Sequence, residues 1–492
     1  MTRGTMRALS ISSVATVVSG TFLVASPAQA STSCSTNPPE DVIKVVGDVN
    51  ADGSGDTAVG VPKDHNLDGN LTGSVNLFLS DGTRQRITPG SLNFDASEAY
   101  GFGASVVLND FDHDTCADLA IGAPDVGRVF IARGSRTGVL STGVRIINTP
   151  AGADKKGLYT DAFGQSVVAA IRKPDGISDL WIGAPGATVD GKAKAGVVYH
   201  YEVSAGGVPK LLSKITDADA FGSAAADDRF GAVLAATANG VAVGVPHRAV
   251  GAKTGAGQVA VLRQPGGVLA KTVFTKASAG VAGTAAAGDH FGAAVAAGPM
   301  GTDLVVGAPD DDIGSAKDAG SVQAFFLDGE VFKPKKAFTQ NTAGIPGKAE
   351  AGDRFGAAVA SGRGILCQEY EGIAAGSPGE DLSSAKNAGT VTLIDEGAGA
   401  DCKAKSRYQG QGLGGHPETG DNVGAHLSIL RYRDDFDEDI YDRLLIGVPG
   451  ENSTSGYLAG LTKPKGLRDI TGDVPKSRFS TVIATDAAGQ SF

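Results

Sequence analysis

The sequence predicts an all-β protein, a seven-bladed β-propeller of four-stranded antiparallel blades, and three recurring signals carry that expectation. A triplet of Gly, a small residue and Pro occurs seven times, a Phe-Gly pair leading into small and apolar residues precedes most copies, and a Gly opening an alternating strand follows most of them. Composition agrees, since 71 Gly and only 6% aromatic residues suit many short strands joined by tight turns.

The triplets stand at 60–62, 122–124, 183–185, 244–246, 307–309, 376–378 and 447–449, spaced 61 to 71 residues apart. Each ends a short apolar run, from TAVG at the first to LLIG at the last, which reads as a buried strand stopped by a Gly-x-Pro corner. The preceding strands begin at Phe102, Phe163, Phe230, Phe291 and Phe355, with a degenerate copy at Val423. Their small residues fit the crowded axis of a propeller, and each Phe is expected to wedge between neighbouring blades. The following strands open at Gly73, Gly127, Gly196, Gly257, Gly320 and Gly389, and a more variable fourth strand completes the unit. The first repeat lacks a Phe-Gly strand, whereas FSTVIA from Phe479 supplies one with no triplet after it. The C-terminal strand is therefore expected to complete the first blade and close the ring, removing open sheet edges.

Residues 1–30 have Arg3 and Arg7 ahead of an apolar run and end in Ala28-Gln29-Ala30, the pattern of a secretory signal peptide, leaving 31–492 as a single propeller domain. The expected location is secreted, extracellular, with no membrane span and a monomeric state. Formal charge is −11, and about −13 once Arg3 and Arg7 are removed, so nucleic acid is not an expected partner. Cys34, Cys116, Cys367 and Cys402 permit three pairings; sequence proximity favours Cys34 with Cys116 and Cys367 with Cys402.

Three loops just ahead of triplet strands carry oxygen side chains at alternating positions. The first places Asp48, Asn50, Asp52 and Asp56 at positions one, three, five and nine, with Gly53 at six and the Ser54 carbonyl at seven. The second offers Asp110, Asp112, Asp114 and Asp118, with Cys116 supplying the seventh-position carbonyl. The third has Asp435, Asp437 and Asp439, but its ninth position is Arg443, leaving Asp442 as a substitute. Such spacing surrounds a hard cation, and unpaired carboxylates brought this close would repel one another. Calcium is expected in two loops and possible in the third. A related stretch from Asp64 lies after a triplet and reads as a turn.

Together these motifs resemble the FG-GAP repeats of integrin α-chain propellers over residues 41–485. The resemblance implies calcium on one rim of the ring and a role in adhesion or recognition of an extracellular protein or glycan ligand. FG-GAP propellers also accompany domains similar to glycosylphosphatidylinositol-specific phospholipase D, so a hydrolase is the alternative. No catalytic residue is visible: the seven histidines are scattered, no HExxH or GxSxG occurs, and His290 reads as a structural position.

Overall fold

The computed structural model describes residue 34 and residues 47–484, except for 65–71, 96–99, 152–158, 172–177, 205, 239, 265–266, 299–300, 368–370, 396–401, 434–439, 452–456, 462–466 and 470–481. The proposed signal peptide, most of the third acidic loop and Phe479 lie outside the described residues.

The strands form seven separate sheets, and in each the order from the axis outward follows the order predicted above. Blade 2, for example, comprises Ser105–Asn109, Asp118–Ala123, Arg128–Ala132 and Arg145–Asn148. Blade 6 adds a short fifth strand, Gly412–Leu413, which pairs in parallel with Lys405–Gln409. In blade 1, Val482–Ala484 pairs antiparallel with Thr57–Val61, and its neighbours on either side are the inner strands of blades 2 and 7.

Burial explains why the strands differ in sequence. Triplet strands such as Asp118–Ala123 are buried at every residue and read as continuous apolar runs. Third strands such as Ser74–Phe78 alternate. The outer strands are exposed, and Val331–Phe338 carries Lys333, Pro334, Lys335 and Lys336, which discourages pairing with another sheet edge. The single α-helix among the described residues, Asp217–Phe221, starts with a Thr216–Asp219 capping box.

The Phe residues occupy the seams. Phe102 packs in a cluster spanning blades 1 and 2, Phe163 one spanning blades 2 and 3, and Val423 replaces Phe between blades 6 and 7. The triplet Gly explains itself at the same seams. A Cβ on Gly183 would stand 1.8 Å from the carbonyl oxygen of Gly231, the Gly of the next Phe-Gly pair, and one on Gly244 would stand 2.0 Å from that of Gly292. Successive blades therefore touch backbone to backbone where the two motifs meet, and any side chain there pushes them apart.

Candidate metal centre

The first two acidic loops build the same hydrogen-bond frame from the same positions. At position one, Asp48 accepts from the Asp52 and Gly53 amides at 3.1 and 2.8 Å, as Asp110 does from Asp114 and Thr115 at 3.0 and 3.1 Å. At position five, Asp52 accepts from the Ser54 amide at 2.9 Å and Asp114 from the Cys116 amide at 3.0 Å. At position nine, Asp56 accepts from Val49 and Ser80, and Asp118 from Phe111 and Gly134. The turn requires positive φ at position six, which Gly53 adopts at 91° and Thr115 at 76°.

These frames bury carboxylates. Asp48 is 4% exposed, Asp56 1%, Asp112 1% and Asp118 1%. Burial raises Asp48 to about 7 and Asp56 to about 8, and in the second loop raises Asp114 to about 6 and Asp118 well above the usual carboxylate range. Ligand oxygens of Asp110, Asp112 and Asp118 lie within 4.8 Å of one another. Oδ1 of Asp112 has no hydrogen-bond partner among the described residues, and Arg133 Nε pairs with Oδ2 at 2.5 Å. An all-oxygen set with a buried carboxylate whose one charge partner, Arg133, is half-exposed fits a hard divalent cation.

The loops adjoin each other, since the Ala117 amide donates to the Asp48 carbonyl at 2.7 Å. Cys116 is disulfide-bonded to Cys34 and Cys367 to Cys402, the pairings favoured by proximity, so the thiol groups are not metal ligands. These bonds fit an oxidising compartment.

Of the third loop, Asp435, Asp437 and Asp439 are outside the described residues. Asp442 is buried, and its Oδ2 accepts from the Arg363 amide of blade 6 at 2.7 Å. Asp64 accepts from Ser74 Oγ at 2.6 Å and pairs with Arg86, as a structured turn would. His290 Nδ1 lies 2.6 Å from Asp310, which also pairs with Arg354 of the next blade.

One set of residues escaped the sequence reading. Asp161, Asp228, Asp289, Asp353 and Asp421 each stand two positions before the Phe-Gly or Val-Gly pair, and all are buried. Their recurrence as Asp-x-Phe-Gly was the available signal.

No family model matches the chain. Among curated proteins, a stretch covering 24% of this chain is 32% identical to Integrin alpha-6 of Gallus gallus, and another covering 35% is 31% identical to Integrin alpha-5 of Xenopus laevis. A stretch covering 31% is 31% identical to Phosphatidylinositol-glycan-specific phospholipase D of Rattus norvegicus. The matches span 11%, 16% and 19% of those three relatives respectively, so each is far longer than the shared part. A solved structure titled "Structure of Dos1 propeller" aligns over 75% of this chain and 71% of its own at 11% identity and a TM-score of 0.37. The blade count rests on the sheet topology above. Integrin α chains are thus relatives of this propeller in sequence. Among the described residues no helix is long and apolar enough to cross a membrane.

Proposed function

We propose that this chain is an exported, calcium-stabilised propeller that acts as a binding or adhesion module for an extracellular protein or glycan. The observation that carries calcium is the duplicated loop, in which two stretches 62 residues apart repeat the same carboxylate-to-amide frame around buried oxygens. Asp48, Asn50, Asp52, Asp56 and the Ser54 carbonyl form one ligand set. Asp110, Asp112, Asp114, Asp118 and the Cys116 carbonyl form the other, with Asp435, Asp437, Asp439 and Asp442 as a third and weaker set. Bound calcium would supply the charge that the buried carboxylates lack, fixing the rim from which a ligand is met.

The adhesion reading is supported by similarity to integrin α chains, and secretion by the N-terminal pattern and the two disulfides. The test is capture on glycan and matrix-protein arrays with calcium and then with chelator. Calcium-dependent retention of a defined ligand, lost in Asp112→Ala, is the expected result. The phospholipase match keeps a hydrolase as the second reading. Turnover of esters, phosphodiesters or glycosides that one substitution abolishes would replace the adhesion reading.

A further inference from the structure

Three positions recur at the seams between blades: the second residue after the apolar end of the outer strand, the Asp before the Phe-Gly pair, and the second residue after the triplet Pro. Between blades 3 and 4 they are Asp217, Asp228 and Arg248, and the guanidinium bonds both carboxylates. Between blades 4 and 5 they are Lys276, Asp289 and Asp311. Here Lys276 Nζ lies 3.2 Å from Asp289 and 2.5 Å from Asp311, and the ammonium is 95% buried in side-chain terms, at 5% exposure.

Between blades 5 and 6 the same positions hold Gln340, Asp353 and Glu380. The acid pair is retained and the basic residue is gone. Asp353 keeps the backbone bond of its counterpart, accepting from the Glu350 amide at 2.6 Å as Asp289 accepts from Ala286 at 2.8 Å. Gln340 Nε2 donates to Glu380 at 2.5 Å. Its Oε1 has no hydrogen-bond partner among the described residues, although the side chain is only 3% exposed. A cleft of 420 Å³ opens there, lined by Gln340, Glu380, Pro346, Leu382 and Tyr408, and by Lys405 and Arg407. Burial raises Glu380 to about 7, with the Asp353 charge adding to it, and burial raises Asp353 to about 6.

We infer that this cleft binds a primary ammonium, the lysine side chain of a partner protein, with Glu380 and Gln340 Oε1 receiving it as Asp289 and Asp311 receive Lys276, and with the buried charge of Asp353 acting on Glu380 from outside the cleft lining. The seam between blades 4 and 5 is the internal template, since there the protein supplies the ammonium itself. Pro346, Leu382 and Tyr408 suit the apolar stem of a lysine, whose charged end alone needs the acceptors. Lys405 and Arg407 favour a lysine flanked by acidic residues or a free carboxylate.

The cleft is separate from the acidic loops, so calcium is held saturating and its failure or success there decides nothing here. The probe is Nα-acetyl-lysine methylamide, titrated calorimetrically into the full chain at about pH 8, above the raised carboxyl values. Saturable binding is expected, with the norleucine analogue, which lacks the ammonium, about tenfold or more weaker. Glu380→Gln should weaken binding by a similar factor. Gln340→Lys restores the tethered ammonium and should abolish binding while raising Tm, so that loss of binding cannot be read as loss of fold. Equal binding of the norleucine analogue, unchanged binding in Gln340→Lys, or no binding by the native chain would each overturn the proposal.

Discussion

Blades 1 and 2 and blades 4 and 5 are built on the same four strands, yet the segments leading into their triplet strands have little in common. Blades 1 and 2 insert nine-residue acidic loops, whereas in blade 4 Val233–Thr237 turns almost directly into Gly240–Val245, with Thr237 paired to Gly240. In blade 5, Gly298 closes the connection by donating to the Asp303 carbonyl at 2.9 Å. The seams do not register this difference, because Gly60, Gly122, Gly244 and Gly307 all abut the next Phe-Gly backbone in the same way. The motif pair sets the blade, and the loop above it is free to become a site.

The largest effects should therefore ignore the loops. Deleting residues 479–492 removes Val482–Ala484, leaves Thr57–Val61 without its inner partner and tests whether that strand closes the ring. Loss of a single cooperative unfolding transition is expected, whether calcium is present or not, and an unchanged transition would mean that the ring closes otherwise. Next come Gly183→Val and Gly244→Val, each forcing atoms into the neighbouring backbone at a cost of about 3 kcal/mol or more. Denaturant midpoints should fall alike for both. A marked inequality would show that the seams are not equivalent.

The seams were legible in the sequence because contacts between backbones exclude side chains, and exclusion leaves a sharp trace: Gly183 tolerates one residue type. The acidic loops were legible for a related reason, since Asp48 and Asp56 must fall at fixed steps around a turn. The seam acids were not read, although Asp353 recurs as faithfully as Phe355. A lone Asp before a Phe has no local meaning: Glu380, whose carboxyl it acts on, is 27 residues away just past the next strand of the same blade, and Gln340 reaches Glu380 only across the seam from blade 5. Arg133 was hidden likewise, because its place over Asp112 depends on strand register.

Calcium should separate the two regions at an intermediate scale. Chelation is expected to lower Tm, with each site contributing roughly 2.7 kcal/mol at about a hundredfold excess of calcium over Kd. Asp52→Ala and Asp112→Ala should each remove part of the gain. Without calcium, folded Asp48 and Asp56 hold protons up to about 7 and 8, whereas the unfolded chain releases them near 3.8. The folded state then binds more protons across that window, so the chelated protein should lose stability as pH rises through it. Saturating calcium displaces those protons and should flatten the slope. Identical pH profiles with and without calcium would reduce the loops to turns.

The smallest effect distinguishes the two loops from each other. Arg133 lies 2.5 Å from Asp112 and 3.4 Å from Asp114, whereas in the first loop the Ser80 hydroxyl bonds Asp52. A guanidinium beside two ligand carboxylates competes with a cation for their charge, but its side chain is 46% exposed and solvent screens it. Arg133→Ala should accordingly tighten calcium at the second loop by only a few-fold, as a charged pair at the surface is worth about 1 kcal/mol or less. Titration in an Asp52→Ala background isolates that loop. Weaker binding in Arg133→Ala would instead make the guanidinium a support that holds Asp112 in ligand position, and the second loop would then depend on a residue that the first replaces with a hydroxyl.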